Sequence, residues 1–159
     1  MIRSRSTTGI TMGYRAEEER VPPDHPLRAL KGIVAATLDE LEPQLRESFS
    51  AGDWPAVPPE KILRLQLLET LYSVPSEHLM LEQLEYNLLF RWFVGLTLDD
   101  APWDRAAFTR ARDMLAGTDV AREFFARVRE RARGSGILGD EHFAPGAAII
   151  EEWSRGTTG

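Results

Sequence analysis

The sequence contains no cysteine. Disulfides and thiolate metal sites are thereby excluded, and a cytoplasmic location is the expectation. No apolar run reaches the roughly 18 residues of a membrane span, and the first residues lack the apolar h-region of a signal peptide. Histidine is scarce. His25 sits in a proline-rich turn, while His78 and His142 stand far from it and from each other, so no set has metal-ligand spacing. A glycine-rich phosphate loop is absent, as is any Ser, His and Asp set for nucleophilic catalysis. The 159 residues suffice for one domain with a core, plus a tail or two.

The net charge of −6 argues against a uniformly basic nucleic-acid binder, but the charges are unevenly spread. Residues 1–15 hold three Arg and no acid, whereas 16–60 hold ten acids against four bases. Residues 61–103 hold six acids and three bases, 104–133 hold eight Arg and five acids, and 134–159 hold four acids and one Arg. Only the first segment and 104–133 are net positive.

Against this polar background stands one dense apolar stretch, Tyr86 to Leu96, with four aromatic residues and a single Arg. Aromatics carry the largest burial energy of any side chain. Burial of Leu88, Leu89, Trp92, Phe93 and Leu96 is expected, at roughly 1.5 to 3 kcal/mol each. Arg91 in such a run is expected to snorkel or to pair with a carboxylate of Glu82, Glu85, Asp99 or Asp100. A phosphate contact is the other reading.

The rest of the chain reads as helices, and the expected fold class is all-α, a single domain of about five main helices. Residues 1–20 form a flexible arm, rich in Ser, Thr, Gly and Arg at its start and poor in anything to bury. Asp24 is placed to cap a first helix with Pro26 in its first turn. Leu27, Leu30, Val34, Leu38, Leu41 and Leu45 follow at helical spacing. Pro43 is expected to kink or restart that helix, and Gly52 to close the region. Pro58-Pro59 opens a second helix too densely apolar for a surface element, with Ile62, Leu63, Leu67, Leu68, Leu71 and Tyr72. Val74-Pro75 stops it. Ser76 caps a third helix running towards the aromatic stretch, so the pair has the outline of a helix-turn-helix. After a turn at Leu98 to Pro102, Asp104 caps a fourth helix with Phe108, Ala111 and Leu115 on one face, ending at Gly117. Asp119 caps a fifth, with Ala121, Phe124, Phe125, Val128 and Ala132 on its apolar side and Gly134 as the stop.

At 100° per residue Arg122, Arg129 and Arg133 line up beside the fifth helix's apolar stripe, and Arg105 and Arg112 flank the fourth's in the same sense. These could form a basic ridge, or a solvated face paired with Glu123, Glu130 and Asp113. The tail, 134–159, has three early glycines and then a short strand-like run that reaches Trp153 without a partner.

Several motifs in one order carry a resemblance. Asp24-His25-Pro26-Leu27-Arg28, Pro58 to Leu63, Leu71-Tyr72-Ser73, Ser76-Glu77, Glu82-Gln83-Leu84, Tyr86 to Leu96, and Phe108-Thr109-Arg110-Ala111-Arg112 resemble the N-terminal domain of InsH-like insertion-sequence transposases. The match covers about Val21 to Trp153. It implies a helical domain, here 21–133, that binds the element's terminal inverted repeats. A ribonuclease-H-like catalytic domain follows in that family, with three acidic residues of the DDE type holding two Mg²⁺ ions.

The first catalytic Asp of that family falls where this chain has Gly146, within Phe143-Ala144-Pro145-Gly146-Ala147-Ala148. The tail thus reads as the remnant of a catalytic domain. Glu151 and Glu152, adjacent in sequence, point apart and make no carboxylate pair. Ser76-Glu77-His78 also departs from the family's usual Ser-Glu-Arg, which removes one cation.

The resulting expectation is a truncated transposase without a complete catalytic site, and with no cofactor of its own. It would bind DNA through Arg105, Arg110, Arg112, Arg122, Arg129 and Arg133. The alternatives are a helical interaction module that pairs with itself or with a full-length transposase as an inhibitor, and a non-functional relic.

Overall fold

The computed structural model describes residues 18–49, 55–97 and 99–137. The arm up to residue 17, Gly52, Leu98 and the tail from residue 138, Gly146 included, lie outside the described residues. The architecture is all-α, with no strand among the described residues. Among the described residues, 18–20 are helical and six further helices follow in order: α1 Pro26–Ser48, α2 Pro59–Leu71, α3 Glu77–Tyr86, α4 Leu88–Val94, α5 Arg105–Ala116 and α6 Asp119–Ser135. None is long and apolar enough to cross a membrane.

The first helix is capped one residue later than expected. His25, not Asp24, is the N-cap, its ring Nδ1 accepting a hydrogen bond of 3.1 Å from the Leu27 N–H, with Pro26 in the first turn. The expected leucine stripe is buried from Leu27 to Leu45. Pro43 does not restart the helix, which runs on to Ser48. An interior proline removes one backbone bond and costs about 3 kcal/mol. The burial of Leu41 and Leu45 on either side offsets that cost, at roughly 1.5 to 3 kcal/mol per leucine.

Helix α2 is central, packing against α1, α4, α5 and α6. Ile62, Leu63, Leu65, Leu67 and Leu68 are fully buried, which explains why its apolar residues do not keep to one stripe. It stops before Val74-Pro75 is reached. Tyr72 is the C-cap and Ser73 adopts the left-handed conformation at φ 52°. The Val74 N–H then bonds the Glu69 carbonyl at 2.8 Å and the Ser73 N–H bonds that of Thr70 at 3.3 Å. This is a Schellman closure with serine in the place glycine usually takes.

The aromatic stretch forms its own short helix. Asn87 both ends α3 and begins α4: its N–H donates to the Gln83 carbonyl at 2.7 Å, and its Oδ1 accepts from the Phe90 N–H at 3.1 Å. Trp92, Phe93 and Leu96 are buried as expected, whereas Leu88 and Leu89 are half-buried and Tyr86 is exposed. Gly95, at φ 93°, closes α4 in a conformation that costs a Cβ-free residue little.

The carbonyls left over at the end of α4 are met by cations from α1 and α2. Lys31 donates to the Trp92 carbonyl at 2.9 Å, Arg64 to that of Phe93 at 3.2 Å, and Lys61 to that of Gly95 at 2.9 Å. Positive charge there also opposes the negative end of the helix dipole. Lys31 and Arg28 lie over the Trp92 ring, 4.2 and 5.2 Å from its centroid. The indole N–H donates to the Glu18 carboxylate, which also takes a 2.7 Å bond from Arg28. Glu18, placed in the arm by the sequence, is therefore helical and tied to the aromatic helix.

Arg91 pairs with no carboxylate among the described residues. It is 4% exposed and donates to the carbonyls of Leu84 and Asp100, each at 2.6 Å, and of Thr97. One guanidinium thus binds the end of α3 to the loop leading into α5. The Asp100 carboxylate turns instead to the Thr97 N–H at 2.8 Å. That bond, with the charges of Lys61 and Arg91 nearby, holds its carboxyl below the usual range.

Candidate nucleic-acid interface

Helix α5 begins at Asp104, whose Oδ2 accepts from the Ala107 N–H at 3.2 Å. Helix α6 begins at Thr118 rather than Asp119. The Thr118 hydroxyl donates back to the Leu115 carbonyl at 2.7 Å, and Asp119 enters the first turn. The stop is likewise later than Gly134: Gly136, at φ 77°, is the C-cap. Phe108, Ala111 and Leu115 of α5 and Phe124, Phe125, Val128 and Ala132 of α6 are buried. Their arginines are thereby turned to the flanks and the outside.

The six arginines expected to act together have different surroundings. Arg105 and Arg110 are exposed and line an open groove of about 850 Å³ along α5 with Asp104, Ala106, Thr109, Asp113 and Met114. Neither has an ion-pair or hydrogen-bond partner among the described residues. Arg122 is widely exposed, 3.8 Å from Asp119, and Arg133 is exposed near the end of α6.

Arg112 is engaged in the fold. It pairs with Glu77 of α3 and lies 3.1 Å from Asp113, while the Thr109 hydroxyl donates to the other oxygen of Glu77 at 2.6 Å. Arg129 is mostly buried, with its Nε fully buried and lacking a hydrogen-bond partner among the described residues, and its outer nitrogen 3.8 Å from Glu130.

Half-buried Glu69 of α2 faces this same junction. Burial above all, then the Glu77 charge, pushes its carboxyl up to about 7, and Arg112 opposes the rise.

Two arginines not singled out in the sequence join the helices. Arg131 reaches across to α1, to the Thr37 hydroxyl at 2.8 Å and the Glu40 carboxylate at 2.6 Å, and Arg127 meets Glu40 at 3.1 Å. The Arg131 bond, ahead of other causes, holds the exposed Glu40 carboxyl below its ordinary value. At 100° per residue Arg127 and Arg131 fall on the flank of α6 away from Arg122, Arg129 and Arg133. Their position was readable, but not that α1 lies there. Glu123 pairs with Arg127 rather than with the Arg122 row.

The second helix of the possible helix-turn-helix, α3, carries Glu77, Glu82 and Glu85 and no Lys or Arg. It offers no permanent cation to a phosphate. Helix α5 and nearly all of α6 lie in the net-positive segment, 104–133.

A transposase domain family, DUF772, matches residues 15–114. The chain belongs to this family. The resemblance carried by the aromatic stretch and the proline-led helices is thus an N-terminal transposase region. No curated protein and no solved structure matches the chain. The matched transposase domain runs from before α1 into the last turn of α5, and includes Arg105, Arg110 and Arg112. Helix α6 lies beyond the match, yet it packs on α1, α2 and α5. In this chain the transposase domain therefore shares one packed helical unit with α6. Among its described residues, no group of three or more His, Asp or Glu is placed to hold a metal ion.

Proposed function

We propose that this helical unit is the DNA-binding part of an insertion-sequence transposase, one that grips the terminal inverted repeats and leaves strand cleavage to other elements. The observation that carries this reading is the pair Arg105 and Arg110, unpartnered on an open groove within a transposase family domain. Arginines without an internal partner have all their donors available for phosphate oxygens. Arg122 and Arg133 extend the same positive segment on α6. Arg112 and Arg129 act at one remove, by holding α5 and α6 in place. The acidic outer face of α3 favours α5 and α6 over α3 as the side turned to DNA.

The test is a titration of the folded protein with a duplex carrying the terminal repeat of a related element and with a scrambled duplex, at two salt concentrations. Tighter binding to the repeat, weakening steeply with salt, is expected. Absence of salt-sensitive binding at micromolar protein would sink the reading. In the same reading the unit by itself does not cut the duplex in Mg²⁺. Cleavage that is lost on replacing one carboxylate would show that it carries chemistry of its own.

A further inference from the structure

Leu79 and Tyr86 are the large apolar side chains that stay exposed among the described residues, at 40% and 62%. They stand seven positions apart on α3, two turns along one face. Gln83 lies between them, its amide 3.4 Å from the Tyr86 hydroxyl. Exposed Glu82 and Glu85 flank the pair. Such a face repels nucleic acid, and its natural complement is apolar surface set between cations.

The α5 groove has that character. Ala106 and Met114 supply apolar surface, and Arg105 and Arg110 are unpartnered. The groove's two acids are already engaged, Asp104 in capping the Ala107 N–H and Asp113 beside Arg112. Glu77 ties the start of α3 to Thr109 and Arg112, and this leaves Leu79 and Tyr86 facing out.

We propose that the outer face of α3 docks in the α5 groove of a second copy of this chain. Leu79 and Tyr86 meet Ala106 and Met114, while Glu82 and Glu85 meet Arg105 and Arg110. The patches differ, so the contact is heterologous and adds copies head to tail. One helix face in one groove is well below the roughly 1,600 Å² of a standard stable interface. The association is accordingly weak and concentration-dependent. It also uses Arg105 and Arg110, so duplex DNA and a second copy exclude each other there.

Sedimentation velocity of the full chain, up to a few hundred micromolar and at low and high salt, provides the test. The average mass is expected to rise with concentration and to fall back with salt. The double variant Glu82→Arg/Glu85→Arg and the double variant Arg105→Glu/Arg110→Glu each weaken association about tenfold or more. Mixed in equal amounts, the two associate with each other, because each supplies the surface that fits the other. Circular dichroism verifies that both are folded, and Leu79→Ser/Tyr86→Ser offers a third variant that leaves the charges alone. A wild type that stays monomeric, an α3 variant that associates unchanged, or a mixture that stays monomeric overturns the proposal. Loss of DNA binding with self-association intact would count against the DNA reading alone, and monomers that bind the repeat would count against the docking alone.

Discussion

Arg112 of α5 and Glu77 of α3 form an ion pair that fixes two helices not adjacent in the chain, with the Thr109 hydroxyl closing the second carboxylate oxygen at 2.6 Å. The Glu77 side chain is only 13% exposed. Removing one partner leaves the other charge with little water to replace it.

Arg112→Ala is therefore expected to destabilise the fold by about 2 kcal/mol, as breaking a largely buried pair does. Urea unfolding measures this directly. The DNA reading adds a second expectation: at concentrations where the variant is folded, its duplex affinity stays within a few-fold of wild type. A large affinity loss without a stability loss would make Arg112 a direct contact instead.

Glu69 gives the fold an uncommon pH dependence. Its carboxyl is pushed up to about 7, from an ordinary value of 4.5, so between those values the folded state keeps a proton that the unfolded state has lost. The stability contributed by this group thus falls as pH rises through that window and is flat above it. Glu69→Gln removes the buried charge and is expected to stabilise the protein above neutral pH by about 1 to 2 kcal/mol, after discounting for partial solvent screening. Thermal melts at pH 5 and pH 8 should show the wild type losing more than the variant between the two. Equal losses would mean that Glu69 ionises freely in the fold.

Asn87 turns the chain between α3 and α4 with a backbone bond on one side and a side-chain cap on the other. Asn87→Ala keeps the first and loses the second, together with the 2.9 Å bond that its Nδ2 donates to Gln83 Oε1, at a cost of about 1 kcal/mol. Asn87→Asp retains an acceptor at the same place and is expected to lose less. Comparing the two by denaturant midpoint separates the cap from any general effect of substitution.

That position also marks where the sequence stopped being readable. Periodicity located the stripes of α1, α5 and α6 because each helix has one wet side, and Leu27 to Leu45 or Phe124 to Ala132 cannot be buried in any other register. The break at Asn87 has no Gly or Pro to announce it. Ser73 ends α2 in a conformation that glycine usually signals, and His25 caps through a ring nitrogen where an Asp stood next to it. Arg91 was expected among carboxylates because charge is visible in a sequence; the carbonyls of Leu84, Thr97 and Asp100 became its partners only once the chain had folded round it. The arginine rows of α6 were legible as angles. Which row faces α1 depends on Glu40 and Thr37, more than eighty positions away.

The same division of the arginines sets the last prediction, on salt dependence. Each phosphate neutralised contributes about 0.9 to the slope of log affinity against log salt. Arg105 and Arg110 are unpartnered on an open groove, so Arg105→Ala/Arg110→Ala is expected to flatten that slope by about two while leaving the unfolding midpoint unchanged. Arg127 and Arg131 are held by Glu40, and releasing them frees a carboxylate as well as removing two cations. Arg127→Ala/Arg131→Ala is therefore expected to lower the unfolding midpoint only slightly, because exposed pairs are individually weak, and to leave the slope as it was. If the α6–α1 variant flattens the slope and the groove variant does not, DNA lies along the Glu40 side of α6, and the groove on α5 is left to protein contacts alone.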